Sequence, residues 1–96
     1  MSEIAFYILF CLQEPQHGYG IGQEVKAMTK GEVSISPGTM YGTLSKMEKD
    51  GLIRFVSEAE KRKIYEITEL GREILTTEMN RIKRIYINSI GDEYNG

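Results

Sequence analysis

One stretch, from Ser36 to Ile53, constrains the fold of this chain more than any other because both of its ends are marked. Ser36 has a hydroxyl that can cap a helix N-terminus, and Pro37 suits the first helical position, where no N–H group is needed. Gly51 suits the left-handed position just beyond a helix C-terminus. The apolar residues between these ends recur at helical spacing: Met40, Leu44 and Met47. The sequence therefore predicts one amphipathic helix between Ser36 and Gly51.

The face of this helix opposite the apolar stripe is small and hydroxylated near its N-terminus and cationic further along. It carries Gly42, Ser45, Lys46 and Lys49, flanked by Thr39 and Tyr41. A helix that enters a DNA major groove needs slim residues where it approaches bases, and donors and cations where it passes phosphates. An ordinary surface helix can have the same stripe, so this stretch alone leaves both interpretations open.

Composition restricts the class of protein. A chain of 96 residues with 41% hydrophobic and 27% charged residues is typical of one soluble globular domain. No apolar run approaches the roughly 20 residues of a membrane span, and the apolar N-terminal segment, Ile4 to Leu12, lacks the basic flank and cleavage site of a signal peptide. The single cysteine excludes an intrachain disulfide and predicts a reducing cytoplasm.

The net charge of -2 and the pI of about 5.4 argue against a protein that coats nucleic acid without specificity. Specific DNA binding stays open, because only the local charge that faces the groove matters for it.

The remaining pattern predicts a mainly α fold with a small β-hairpin. In the first half of the chain we expect a helix capped by Ser2 and ending near Leu12 or Gln13, a turn over Gln13 to Gly18, and a helix from about Tyr19 to Thr29. An extended segment over Glu32 to Ile35 then leads to the helix described above. After it we expect strands within Leu52 to Ser57 and Lys63 to Ile67, a last helix capped by Thr68, and a frayed tail from Gly91 to Gly96. This order is that of a winged helix-turn-helix DNA-binding domain over residues 1–68, followed by a C-terminal dimerisation helix and tail over residues 69–96.

Four segments, in this order and spacing, resemble the PadR-like transcriptional regulators. They are Glu14 to Ile21 with Gln23 to Val25, Pro37 to Leu44, Met47 to Ile53, and Arg62 to Gly71. The resemblance implies a cytoplasmic prokaryotic repressor that dimerises through its C-terminal helix and binds an inverted-repeat operator. Members of the family are often released from DNA by a small aromatic or amphipathic molecule. The single C-terminal helix resembles the short subgroup of the family, and the chain has no tryptophan on which such a molecule could stack.

We predict that the DNA contacts come from the central helix, its N-terminal cap, the second helix and the hairpin. The predicted DNA-binding residues are Tyr19, Ser36, Pro37, Gly38, Thr39, Tyr41, Gly42, Ser45, Lys46, Lys49, Lys61, Arg62 and Lys63. For Tyr19 and Tyr41 the alternative is packing between the second and third helices. For the three hairpin cations the alternative is a solvated surface, which is the usual role of a charge run.

The last helix carries an apolar seam with coiled-coil spacing, and the first helix is apolar on several sides, so one small subunit cannot cover both. The predicted homodimer interface comprises Ile4, Ile8, Leu75, Met79, Ile82, Ile85, Tyr86 and Ile90. A planar effector could bind at this interface against Phe6, Tyr7, Phe10 and Tyr86. The alternative is a packed interface without a ligand.

The sequence predicts no enzyme, metal site or cofactor. His17 is the only histidine and Cys11 the only cysteine, so a zinc site or a catalytic triad would lack partners. Cys11 is either a small buried hydrophobe or, less simply, a redox sensor. Two functions compete: a DNA-binding repressor, and a winged helix that has lost DNA binding and contacts other proteins.

Overall fold

The computed structural model describes the backbone of residues 1–95 and the side chains of residues 1–91. Its elements are α1 (Glu3–Cys11), β1 (Gln16–His17), α2 (Gly18–Met28), α3 (Pro37–Lys49), β2 (Ile53–Ala59), β3 (Arg62–Ile67) and α4 (Glu69–Asn95). The strands form one antiparallel sheet in the order β1-β3-β2. Three helices followed by a hairpin and a long C-terminal helix confirm the predicted winged helix fold. None of the helices described is long and apolar enough to span a membrane.

Two local predictions were wrong: the turn before α2 and the frayed tail. The turn predicted over Gln13 to Gly18 contains β1, which pairs with β3 and is too short to produce a periodic pattern. The segment from Glu32 to Ile35 precedes α3 and joins no sheet, and its extended conformation stays a prediction. The tail predicted to be frayed from Gly91 is helical through Asn95, and Gly96 lies outside the described residues.

The core lies where α1, α2 and α3 meet the sheet and the first turns of α4. Its fully buried side chains are Ile8, Leu9, Leu12, Ile21, Val25, Leu44 and Ile53. The apolar stripe predicted for α3 is buried along its whole length, so the opposite face of α3 must point away from the core. The packing of the core thereby sets which face of α3 is available to a ligand.

The start of α4 is fixed to the end of α3 by a small hydrogen-bonded junction. The Thr68 N–H donates to the carbonyl of Leu52 at 3.0 Å, and the Thr68 hydroxyl donates to the carbonyl of Gly51 at 2.6 Å. The same hydroxyl oxygen accepts the N–H of Gly71 at 3.0 Å, which caps α4. This junction joins the predicted DNA-binding helix directly to the predicted dimerisation helix.

Candidate nucleic-acid interface

The N-terminus of α3 has the predicted cap. The Ser36 side-chain oxygen accepts the N–H of Thr39 at 3.2 Å, and its hydroxyl donates to the Thr39 hydroxyl at 3.0 Å. Pro37 is the first helical residue. At the other end, Gly51 has a φ of 78° and the Leu52 N–H donates to the Met47 carbonyl at 2.9 Å, which is a Schellman motif.

Packing within the protomer does not require the two glycines on the outer face of α3. No atom lies within 4 Å of the position that a Cβ would occupy at Gly38 or Gly42. A glycine inside a helix lowers stability by roughly 1 kcal/mol relative to alanine. In contrast, a Cβ at Gly18 of α2 would lie 3.1 Å from side-chain atoms of Met40 and Tyr41, so that glycine permits the close packing of α2 on α3. The small side chains on the outer face of α3 are therefore not explained by the packing of the fold.

The cationic part of this face is solvent-exposed. Lys46 pairs with Asp50 one turn later, with 3.6 Å between Nζ and the carboxylate, and most of the Lys46 side chain stays exposed. Lys49 is exposed and forms no ion pair within the described part of the chain. An exposed ion pair such as Lys46–Asp50 stabilises a protein little, so both lysines are available to an anionic ligand.

The hairpin formed by β2 and β3 is the wing, and its tip is cationic. A two-residue turn, Glu60 and Lys61, connects the strands with φ values of 51° and 66°. Lys61 and Lys63 are exposed, while Arg54, nearer the base, pairs with Glu66 on the neighbouring strand. The alternation of β3 buries Tyr65 and Ile67, so the base of the wing belongs to the core and the tip extends into solvent.

The structure brings two of the predicted DNA-binding residues into contact with each other. The Arg62 guanidinium of the wing lies over the ring of Tyr19 in α2, with Cζ 4.7 Å from the ring centroid. The Tyr19 ring stacks on His17, whose Nδ1 accepts the N–H of Gly20 and so caps α2. Sequence reasoning missed this contact, because no local pattern relates α2 to the wing.

The residues predicted to form the dimer interface fall into two groups. Ile8 and Leu75 are 0% and 3% exposed in the protomer's own core, so a partner cannot contact them and their assignment to the interface was wrong. The others remain accessible to different degrees: Ile4 and Ile90 are half-buried, and Met79, Ile82, Ile85 and Tyr86 are exposed.

A groove of about 640 Å³ separates the N-terminal part of α1 from the middle of α4. Its apolar lining comprises Met1, Phe6, Tyr7, Met79, Ile82 and Tyr86. Phe10 was predicted to line an effector site here but lies outside the lining and stacks on Phe6 instead, with 6.1 Å between ring centroids. Met79 and Ile82 were missed as lining residues, although their place in the apolar seam could have indicated them.

Cys11 is buried, and burial together with the nearby Glu24 carboxylate raises the pKa of its thiol to about 12. The thiolate is the reactive form of cysteine. We therefore expect the native protein to resist a water-soluble thiol reagent at pH 8, whereas the urea-unfolded chain should be labelled completely. Mass spectrometry of both samples measures this. Rapid labelling of the native protein would show that Cys11 is accessible and would favour the redox alternative.

The family model for PadR-like transcriptional regulators matches residues 8–77, from α1 into α4. This chain belongs to the PadR-like family. The match includes α3, the wing and the Thr68 junction, so these elements of the chain are those of a transcriptional regulator.

The PadR-like chain is 30% identical over 80 residues to the transcriptional regulator Rv3488 of Mycobacterium tuberculosis, with 80% of this chain and 72% of that protein covered. A transcriptional regulator from Clostridium thermocellum has a TM-score of 0.77 at 25% identity, with 90% of both chains covered. Bacillus subtilis PadR, in a crystal structure with operator DNA, shares the fold with a TM-score of 0.73 at 23% identity, over 81% of this chain and 47% of that one. The chain spans only 63% and 20% of two other curated relatives that it matches.

Proposed function

We propose that this PadR-like regulator binds an inverted-repeat operator as a homodimer and represses transcription there. The observation that carries the proposal is the outer face of α3, which is exposed, glycine-bearing at Gly38 and Gly42, and cationic at Lys46 and Lys49. A helix of this kind fits a major groove, because its backbone can approach base edges while its lysines reach phosphates. Ser36, Pro37 and Thr39 lie exposed at the N-terminal end of α3. Ser45 lies exposed further along the helix, on the same face as Gly42.

The wing adds contacts with the DNA backbone beside the groove. Lys61 and Lys63 are exposed at its tip, and Tyr41, exposed on α3, offers a hydroxyl to a phosphate. Each neutralised phosphate releases counterions, so log affinity falls with log salt concentration by roughly 0.9 per contact. This local charge explains how a chain of net charge -2 binds DNA in the cytoplasm.

Dimerisation follows from the apolar surface that α4 leaves exposed. Ile82 and Tyr86 are 43% and 64% exposed, and Met79 and Ile85 extend the same surface. A two-fold pairing would bury this face on both protomers and set two α3 helices about 34–36 Å, or one turn of DNA, apart or a multiple of that distance. A planar amphipathic effector would occupy the groove between α1 and α4, against Phe6 and Tyr86, and alter that spacing.

The test of the proposal uses Gly42→Ala. The methyl group enters open space in the free protein, so we expect the free energy of unfolding to rise by up to about 1 kcal/mol. The same methyl group would stand between α3 and the base edges, so we expect operator affinity to fall roughly tenfold, or about 1.4 kcal/mol. The probe is a duplex selected by the wild-type protein from a random library, and affinity is measured by fluorescence anisotropy.

Thr77→Ala is the matched control. Thr77 is exposed on α4 away from the apolar seam, and alanine there also raises helix propensity. It should stabilise the protein and leave DNA affinity unchanged. Equal affinity of Gly42→Ala and wild-type protein would contradict the placement of α3 in the groove. Failure of the wild-type protein to select any duplex at low salt would instead favour the protein-interaction function, which the acidic pI suggests.

A further inference from the structure

We propose that Tyr19 and Arg62 act as a positioning pair that sets the angle of the wing relative to α3. The inference rests on the proposed function in one respect: the wing must contact DNA for its angle to matter there. In this account Arg62 and Tyr19 are committed to each other, and the phosphate contacts of the wing come from Lys61 and Lys63. The role of Arg62 therefore differs from that of Lys61 and Lys63, although all three are cations of the same hairpin.

The register of the sheet places the contact. Gln16 pairs with Tyr65 and His17 with Ile64, and extending this antiparallel register by two residues puts Tyr19 opposite Arg62. Backbone pairing between β1 and β3 stops at His17, because α2 begins at Gly18. The Tyr19–Arg62 stack thus continues the β1–β3 ladder through side chains, beyond the point where its hydrogen bonds end.

The outer part of the wing needs such a contact. From Glu58 to Lys63 the wing is a two-stranded ribbon, with β3 pairing only to β2 at Glu58↔Lys63 and Ala59↔Arg62. An isolated two-stranded hairpin is marginally stable in water. The β-bulge between Phe55 and Ser57 interrupts the ribbon just before this part. A guanidinium stacked on an aromatic face is attracted by the ring quadrupole and limits the angles that the ribbon can adopt.

Next to Tyr19, the chain also packs closely against α3. Gly18, the chain neighbour of Tyr19, is so close to α3 that a Cβ there would lie 3.1 Å from the ring of Tyr41. The first turn of α2 therefore touches α3 on one side and the wing on the other. His17 supports this turn by capping α2 and by stacking on Tyr19, with 6.5 Å between ring centroids. This turn therefore links the outer part of the wing to α3, in addition to the direct packing of β2 on α3.

Amide hydrogen exchange of the DNA-free protein tests the positioning role directly. Tyr19→Leu and Arg62→Gln should each accelerate exchange at amides of residues 57–63 by roughly twofold to fivefold, with the amides of α4 unchanged. Tyr19→Phe, which keeps the ring and loses the hydroxyl, should rescue the wild-type exchange rates. Lys63→Gln removes a neighbouring charge and should leave exchange unchanged. Wild-type exchange rates in both Tyr19→Leu and Arg62→Gln would overturn the inference.

A double-mutant cycle on the selected duplex supplies the second readout. Tyr19→Leu and Arg62→Gln should each weaken binding, and the double variant should bind no more weakly than the weaker single variant, because both remove the same contact. Combining Tyr19→Leu with Lys63→Gln should give additive losses, since these residues act separately. Additive losses for Tyr19→Leu with Arg62→Gln would overturn the inference, as would Tyr19→Phe binding as weakly as Tyr19→Leu. The exchange result is independent of DNA, so failure of the proposed function is recognised separately.

Discussion

Gly71→Ala should lower the free energy of unfolding by about 3 kcal/mol or prevent folding, because a Cβ at this position meets backbone that cannot move aside. The Cβ would come within van der Waals overlap of the Leu52 carbonyl oxygen and of the Ile67 side chain. The same carbonyl accepts the N–H of Thr68, so moving it would also break the junction between α3 and α4. Urea unfolding followed by circular dichroism, at one fixed protein concentration, measures the effect.

The control for Gly71→Ala is Gly42→Ala, the same chemical change at a helical glycine with open space around it. The two variants should shift the unfolding midpoint in opposite directions. If Gly71→Ala were as stable as the wild-type protein, the close approach of α4 to Leu52 would be contradicted. The hydrogen bonds of Thr68 would then no longer suffice to explain how α3 and α4 are held together.

Ile82→Glu should produce a monomer that loses at least a hundredfold in operator affinity. Ile82 is 43% exposed in the middle of the apolar seam, so the free protomer tolerates a carboxylate there. Pairing two protomers would bury that carboxylate opposite its own copy, which is strongly unfavourable. A monomer binds one half-site and loses the gain of about 10²–10⁴ that linked binding sites provide. Sedimentation velocity at micromolar concentration measures the assembly, and fluorescence anisotropy measures the affinity.

Thr77→Glu places the same charge on α4 at an exposed position outside the seam. This control should remain dimeric and keep its operator affinity, which separates the effect of the interface from the effect of added negative charge. A wild-type protein that sediments as a monomer, or a fully active Ile82→Glu variant, would contradict the dimer. Partial loss of affinity by a variant that stays dimeric would also contradict it, because the predicted mechanism acts through assembly.

The sequence by itself determined the elements whose signals are local. The cap at Ser36, the proline at Pro37 and the left-handed Gly51 lie within a few residues of the bonds they satisfy, so α3 was predicted with its correct ends. The helical period of its stripe predicted which face is buried. The charged connection between two strand-like segments likewise predicted the wing, since turn and strand preferences act between neighbours in the chain.

Only the tertiary structure decided the relations between distant segments. β1 has two residues and exists because β3 offers it hydrogen bonds, which no period in the sequence can indicate. Ile8 and Leu75 resembled interface residues because an apolar pattern does not say whether the same chain or a partner buries it. The contacts of Gly71 with Leu52 and of Arg62 with Tyr19 depend on how the elements pack. Packing brings together residues that are far apart in the chain, and local sequence preferences do not specify which of those residues meet.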